Sequence, residues 1–167
     1  MLCDLTYFTK GTRHILNAYS EAGGTEAYGT QAVRERVEGY IATLQLRFLC
    51  EAVGYRLAKD LDGYLTDLDR DGEGRDAHDA YYDGLLEPLR EPFADYVAYR
   101  LLRDAGQDAT ITGLVAVDSD NGYVDVSMRM ATLWNDMVWK MEEFAAMPHE
   151  GVETDRSLLT TINTLNI

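Results

Sequence analysis

The sequence predicts a mainly α-helical fold, a bundle of about four main helices, and three observations lead there. Apolar residues recur every three or four positions over long stretches that begin near Val33, Leu85 and Met130, the period of helices with one buried face. Glycines, prolines and polar runs fall between those stretches, where they separate one helix from the next. Within the domain, enrichment in β-branched residues is found near 110–126, enough for a small hairpin or extended element and too little for a sheet. The chain has 167 residues, 46% of them apolar, which suffices for one core. We therefore read a single helical domain over 1–147, with an extended N-terminal arm at 1–10, and a C-terminal tail at 148–167.

The first ten residues mix apolar and polar side chains without a helical period, which predicts the extended arm. Thr12 to Tyr19 could form a short helix that turns Ile15 and Leu16 inward, ended by Gly23-Gly24; each glycine costs a helix about 1 kcal/mol relative to alanine. Thr30 is a candidate N-cap for the first long helix. Val33, Val37, Tyr40, Ile41, Leu44 and Phe48 mark that helix, Gly54 a break, and Tyr55, Leu57 and Leu65 a second helix ending near Tyr64. Residues 66–84 read as a polar loop. Leu85, Leu86, Leu89, Phe93, Tyr96, Val97, Tyr99 and Leu101 give a third helix. Pro88 suits its first turn, Pro92 should kink it or reset its start, and Gly106 should stop it.

After Gly106 the period shortens. Thr110-Ile111-Thr112-Gly113-Leu114-Val115, the turn residues Asp118-Ser119-Asp120-Asn121-Gly122, and Tyr123-Val124-Asp125-Val126 fit a hairpin or an irregular extended segment. The last helix is the plainest: Met130, Trp134, Met137, Met141 and Phe144 recur at steps of four, three, four and three before Pro148 ends it. Such a stripe needs an apolar partner, either in its own bundle or across a subunit seam. In the tail, Leu158, Leu159, Ile162, Leu165 and Ile167 follow a polar spacer. Their side chains are costly to leave in water, so the tail should dock on its own domain or on a neighbour.

Charge narrows the function. Fifteen basic against 29 acidic residues give −14, and Lys10, Lys59 and Lys140 are the only lysines, so sequence-independent gripping of nucleic acid phosphates is disfavoured. No run approaches the roughly 18 apolar residues a membrane helix needs. The N-terminus lacks a basic region followed by an apolar one, so we expect no signal peptide and a chain that stays in the compartment where it is made. Cys3 and Cys50 match no CxxC spacing and read as idle thiols.

Candidate chemistry is thin. Asp67, Asp69 and Asp71 with Gly72 match the first half of a calcium loop, but the twelfth position is His78 in place of a bidentate glutamate, so a solvated acidic loop is the plainer reading. His14, His78 and His149 share no ligand spacing, and no nucleophile elbow, phosphate loop or dinucleotide fingerprint is present. We expect no enzyme and no cofactor. Eleven tyrosines, some paired as in Tyr81-Tyr82, suit packing or an interface better than a catalytic phenol.

Three stretches together resemble the head-to-tail connector (adaptor, or neck) proteins of tailed bacteriophages. They are Val37 to Ile41 continuing through Phe48-Leu49 and Gly54 to Leu57; Leu85 to Leu102 with Phe93, Tyr96 and Tyr99; and Thr110 to Val115 followed by Trp134-Asn135-Asp136-Met137-Val138. The likeness covers roughly residues 5–145 and omits the acidic loop. It implies a virion structural protein made in the host bacterial cytoplasm and placed at the neck. There it would form a homo-oligomeric ring, typically dodecameric, between the portal protein and the next neck or tail protein, with DNA passing through unbound. An acidic bore wall would repel that DNA. The contact residues expected on this basis are Thr110, Ile111, Gly113, Val115, Trp134, Met137, Leu158, Leu159, Ile162, Leu165 and Ile167. A tail-completion or stopper virion protein, a small calcium-responsive module at Asp67, Asp69 and Asp71, and a helical-bundle enzyme with scattered carboxylates are the alternatives.

Overall fold

Periodic apolar stretches become helices where they can cover one another, and four do so here. A computed structural model describes residues 1–15, 18, 28–68, 77–112, 126–147, 149 and 152–162. Its main elements are α1 (Tyr28–Val53), α2 (Tyr55–Leu68), α3 (Ala77–Thr112) and α4 (Val126–Ala146), and no strand occurs among the described residues. The helical-bundle class expected from periodicity is the class observed.

Along α1, Val37, Ile41, Leu44 and Phe48 are buried at intervals of four, three and four, so one face meets the core. The helix starts two residues before the Thr30 cap expected from sequence. It ends where Gly54 takes a φ of +83°, a left-handed value that residues with a Cβ adopt at a penalty. The Gly54 amide still closes on the Cys50 carbonyl at 3.1 Å, and the Gly54 carbonyl accepts from Ala58 at 3.0 Å to start α2. The break therefore redirects the chain and leaves the Glu51 and Ala52 carbonyls outside the helical ladder. α2 runs past Tyr64 to Leu68, four residues longer than expected.

α3 departs most from the sequence reading. It begins at Ala77, inside the expected loop, and runs through Pro88, Pro92 and Gly106 to Thr112. Each proline removes one ladder hydrogen bond, yet Leu85, Leu86, Leu89, Pro92, Phe93 and Val97 are buried. Burying that many apolar side chains, at roughly 1.5–3 kcal/mol each, outweighs both losses. Thr110 and Ile111 are consequently helical, which corrects the hairpin at its first strand. An established helix adds one hydrogen bond per residue, and local β-propensity is a weak prior against that. Gly113 and Val115, with the remainder of the proposed hairpin through 125, lie outside the described residues.

The N-terminus is corrected as well. In place of an extended arm, Leu5–Phe8 forms a 3₁₀ turn capped by Asp4, whose carboxylate accepts from the Thr6 amide at 2.8 Å. Leu2, Cys3, Leu5 and Phe8 are buried in the common core. A non-periodic segment can still bury its apolar residues if its turns are tight, which sequence period does not reveal. The short helix expected over Thr12 to Tyr19 reduces to a 3₁₀ turn at Gly11–Arg13, with Ile15 partly buried and Leu16 and Tyr19 outside the described residues.

α3 and α4 share the most extensive interface, followed by α1 with α2. Met137, Val138, Met141 and Phe144 of α4 are fully buried within the chain's own core, so the Met-rich stripe is bundle interior. Among the described residues no helix is long and apolar enough to cross a membrane.

Candidate functional site

The most unusual surface is where the C-terminal tail lies on α4. It is built from an aromatic row that links three helices: Phe93 packs on Phe48 at 5.2 Å between ring centroids, and Phe48 on Tyr96 at 5.5 Å. Tyr96 and Tyr99 flank Trp134 at 6.3 and 4.9 Å. Tilted rings at these separations pack favourably, and together they fix the indole. Its Nε1 donates to the Thr160 carbonyl at 2.7 Å. One residue on, Asn135 Nδ2 donates to the Ile162 carbonyl at 3.1 Å while its Oδ1 accepts from the Ile162 amide at 2.8 Å. The Asn135 amide thus pairs with a residue's main chain as a neighbouring strand would, and Thr160 is extended, at φ −112° and ψ 114°.

Upstream of this pair, Leu158 is fully buried and Leu159 packs against the core in a 3₁₀ turn, Arg156–Leu159. Asp155 caps that turn, its carboxylate accepting from the Ser157 amide at 2.7 Å. That backbone hydrogen bond, with help from the Ser157 side chain, holds the Asp155 carboxyl below its ordinary value. The Asp155 amide donates to the Glu51 carbonyl at 2.7 Å, and Thr154 Oγ1 to that of Ala52 at 2.9 Å. The carbonyls left over by the Gly54 break are therefore satisfied by the tail.

Expected contact residues are dispersed. Trp134, Leu158, Leu159 and Ile162 come together at this surface, while Met137 is buried in the bundle. Leu165 and Ile167 lie outside the described residues. Asp67 is exposed in the last turn of α2, and Asp69 and Asp71 lie outside the described residues. Among those described, no group of three or more His, Cys, Asp or Glu is arranged to hold a metal. Asn135, the main clamp, is not among the contact residues expected from sequence: nothing in periodicity distinguishes it from a solvated amide, although it sits directly beside Trp134.

The outer face of α4 carries a second feature. Trp139 is 60% exposed and Met128 59%. Eleven residues is three turns, so both share one face, and Asn135 lies one turn before Trp139 on that side. Large apolar side chains in this state are enriched at interfaces.

Two other clusters are structural. Asp95 is 2% exposed and takes a hydrogen bond from Lys140 Nζ at 2.5 Å and an ion pair from Arg13 at 3.4 Å, with Glu91 also beside both cations. Burial raises the Asp95 pKa, opposed by the Lys140 hydrogen bond and by the charges of Lys140 and Arg13. A cavity of about 180 Å³ between α1, α3 and α4 is lined by Ile15, Val33, Val37, Leu101 and their neighbours. It is smaller than ordinary ligand pockets and gathers no acid–base pair. Burial pushes the Cys3 thiol up to about 12 and raises that of Cys50, so both stay protonated and poorly nucleophilic near neutrality.

Compared with family models, with characterised proteins and with solved structures, the chain finds no match.

Proposed function

We propose that this chain is an assembly component of a phage neck, a head-to-tail connector subunit that rings the DNA path beneath the portal. The observation that carries the reading is the α4 outer face: Trp139 and Met128 stand in water on a helix that buries Met137 and Met141 and half-buries Trp134. A tryptophan left 60% exposed is the kind of anchor that dominates subunit contacts. The connector-like order of the three sequence stretches, with Trp134 and Asn135 in the last of them, supports a neck position for the assembly. The charge of −14 suits a wall past which a duplex slides without sticking. The N-terminal segment is spent on the chain's own core.

Mass photometry of the purified chain, alone and with a portal protein, tests this. A ring-sized species in either sample is the expected result, and Trp139→Glu should abolish it while leaving the helical circular dichroism unchanged. A chain that stays monomeric in both samples sinks the proposal.

A further inference from the structure

The surface on which the tail rests reads main chain. Trp134 donates to the carbonyl of Thr160, and Asn135 both donates to and accepts from the backbone of Ile162. Upstream, the Asp155 amide and the Thr154 hydroxyl reach only main-chain carbonyls of α1. Any extended segment offers such backbone groups, whichever molecule it belongs to. Among the described residues of the tail, the one fully buried side chain is Leu158.

We propose that in the assembled state this surface is filled by residues 154–162 of a second copy of the chain, the tails being exchanged between neighbours. The inference rests on the assembly reading above and deepens it by naming a contact. The occupant follows from what already fits: every copy carries a segment whose Leu158 and extended 160–162 match the surface. Exchange keeps each of those contacts and requires no new complementarity, the low-cost route by which copies of one chain pair. Among the described residues, release in cis gives up the burial of Leu158, the partial cover of Leu159 and Ile162 and a few backbone hydrogen bonds, all regained in trans. The clamp also lies one turn from Trp139 on the same face, so a neighbour delivering its tail to Asn135 comes to rest where that exposed indole needs cover.

Complementation between two full-length variants tests exchange directly. Asn135→Ala breaks the clamp and leaves the tail intact; Leu158→Asp breaks the tail and leaves the clamp intact. Neither variant alone can form the full contact, and their mixture can form it in one way, with the tail of the first on the clamp of the second. Native mass spectrometry should show mixed species only on mixing, with at least a tenfold loss of self-association in each variant alone. Asn135→Asp and Leu158→Ala, which keep size or polarity, repeat the test if circular dichroism shows either first variant misfolded. Absence of mixed species overturns exchange. If both variants alone assemble like the unaltered chain, exchange falls while the assembly reading stands; if the unaltered chain never assembles, the assembly reading falls and exchange falls with it.

Discussion

Towards both termini the chain crosses the bundle as a strap built on short 3₁₀ turns, yet the two straps are held by different means. The N-terminal strap buries Leu2, Cys3, Leu5 and Phe8 in the common core. Its backbone is gripped by side chains from three helices: Gln45 accepts from the Leu2 amide at 2.7 Å, Arg90 donates to the Leu2 carbonyl at 3.3 Å, and Arg129 donates to the carbonyls of Thr12 and His14. Arg13 adds ion pairs to Glu91 and Asp95. The C-terminal strap buries Leu158, half-covers Leu159 and Ile162, and otherwise relies on main-chain hydrogen bonds at its two ends. Four buried side chains and a charged cluster make the first strap part of the fold. Among its described residues, one fully buried anchor and a backbone-reading clamp make the second a docked part, whose opening can proceed as a local event.

Mutations should separate the two. Phe8→Ala removes a fully buried ring and should cost about 3–5 kcal/mol of global stability, visible as a lower urea midpoint with all probes shifting together. Lys140→Ala withdraws the hydrogen bond to buried Asp95 but leaves Arg13 beside it, so the expected loss is about 2–3 kcal/mol. A loss near zero would mean the cluster does not pin the strap. Leu158→Ala removes a fully buried side chain, but its cost is capped by the free energy of local tail opening, so it should lower global stability less than either of these. Its signature is local: hydrogen-exchange protection of the Ile162 amide collapses while that of the Leu2 amide is kept. Uniform loss of protection across both straps would contradict the distinction.

The contrast also explains which parts of the fold were legible in sequence. α1, α2 and α4 announce themselves through period, because each turns one apolar face to the core, and the Gly54 break is legible since a left-handed φ favours glycine. α3 was misread at both ends because Pro88, Pro92 and Gly106 are local stop signals, and local signals yield to a buried apolar face. The N-terminal strap was misread for a related reason. Residues without a helical period can be buried when distant polar groups satisfy their backbone, and Gln45, Arg90 and Arg129 lie far from Leu2 and His14 in sequence. Gln45 left a faint trace, as a polar residue within the apolar stripe of α1. Trp134 and Leu158 were legible as apolar residues in need of cover. That Asn135 would read the tail's backbone was not, since an asparagine carries the same letters whether it faces water or a peptide.

The smallest expected effect is one of pH, and its sign differs between the straps. Asp155 has a folded pKa below its ordinary 3.8 because its carboxylate accepts from the Ser157 amide. Its contribution to holding the tail is therefore present above 3.8 and lost as pH falls through the depressed folded value. Asp95, under the N-terminal strap, has a folded pKa raised above 3.8 by burial, so its contribution is fullest below 3.8 and declines as pH rises through the raised value. Acidification should then loosen the tail before the strap, read as falling protection of the Ile162 amide while the Leu2 amide stays protected. Asp155→Asn keeps an oxygen that can cap the turn and removes the titration, so its tail should hold its protection over the same pH range. If that variant loosens on acidification as the unaltered chain does, the capping carboxylate is not what ties the tail to pH.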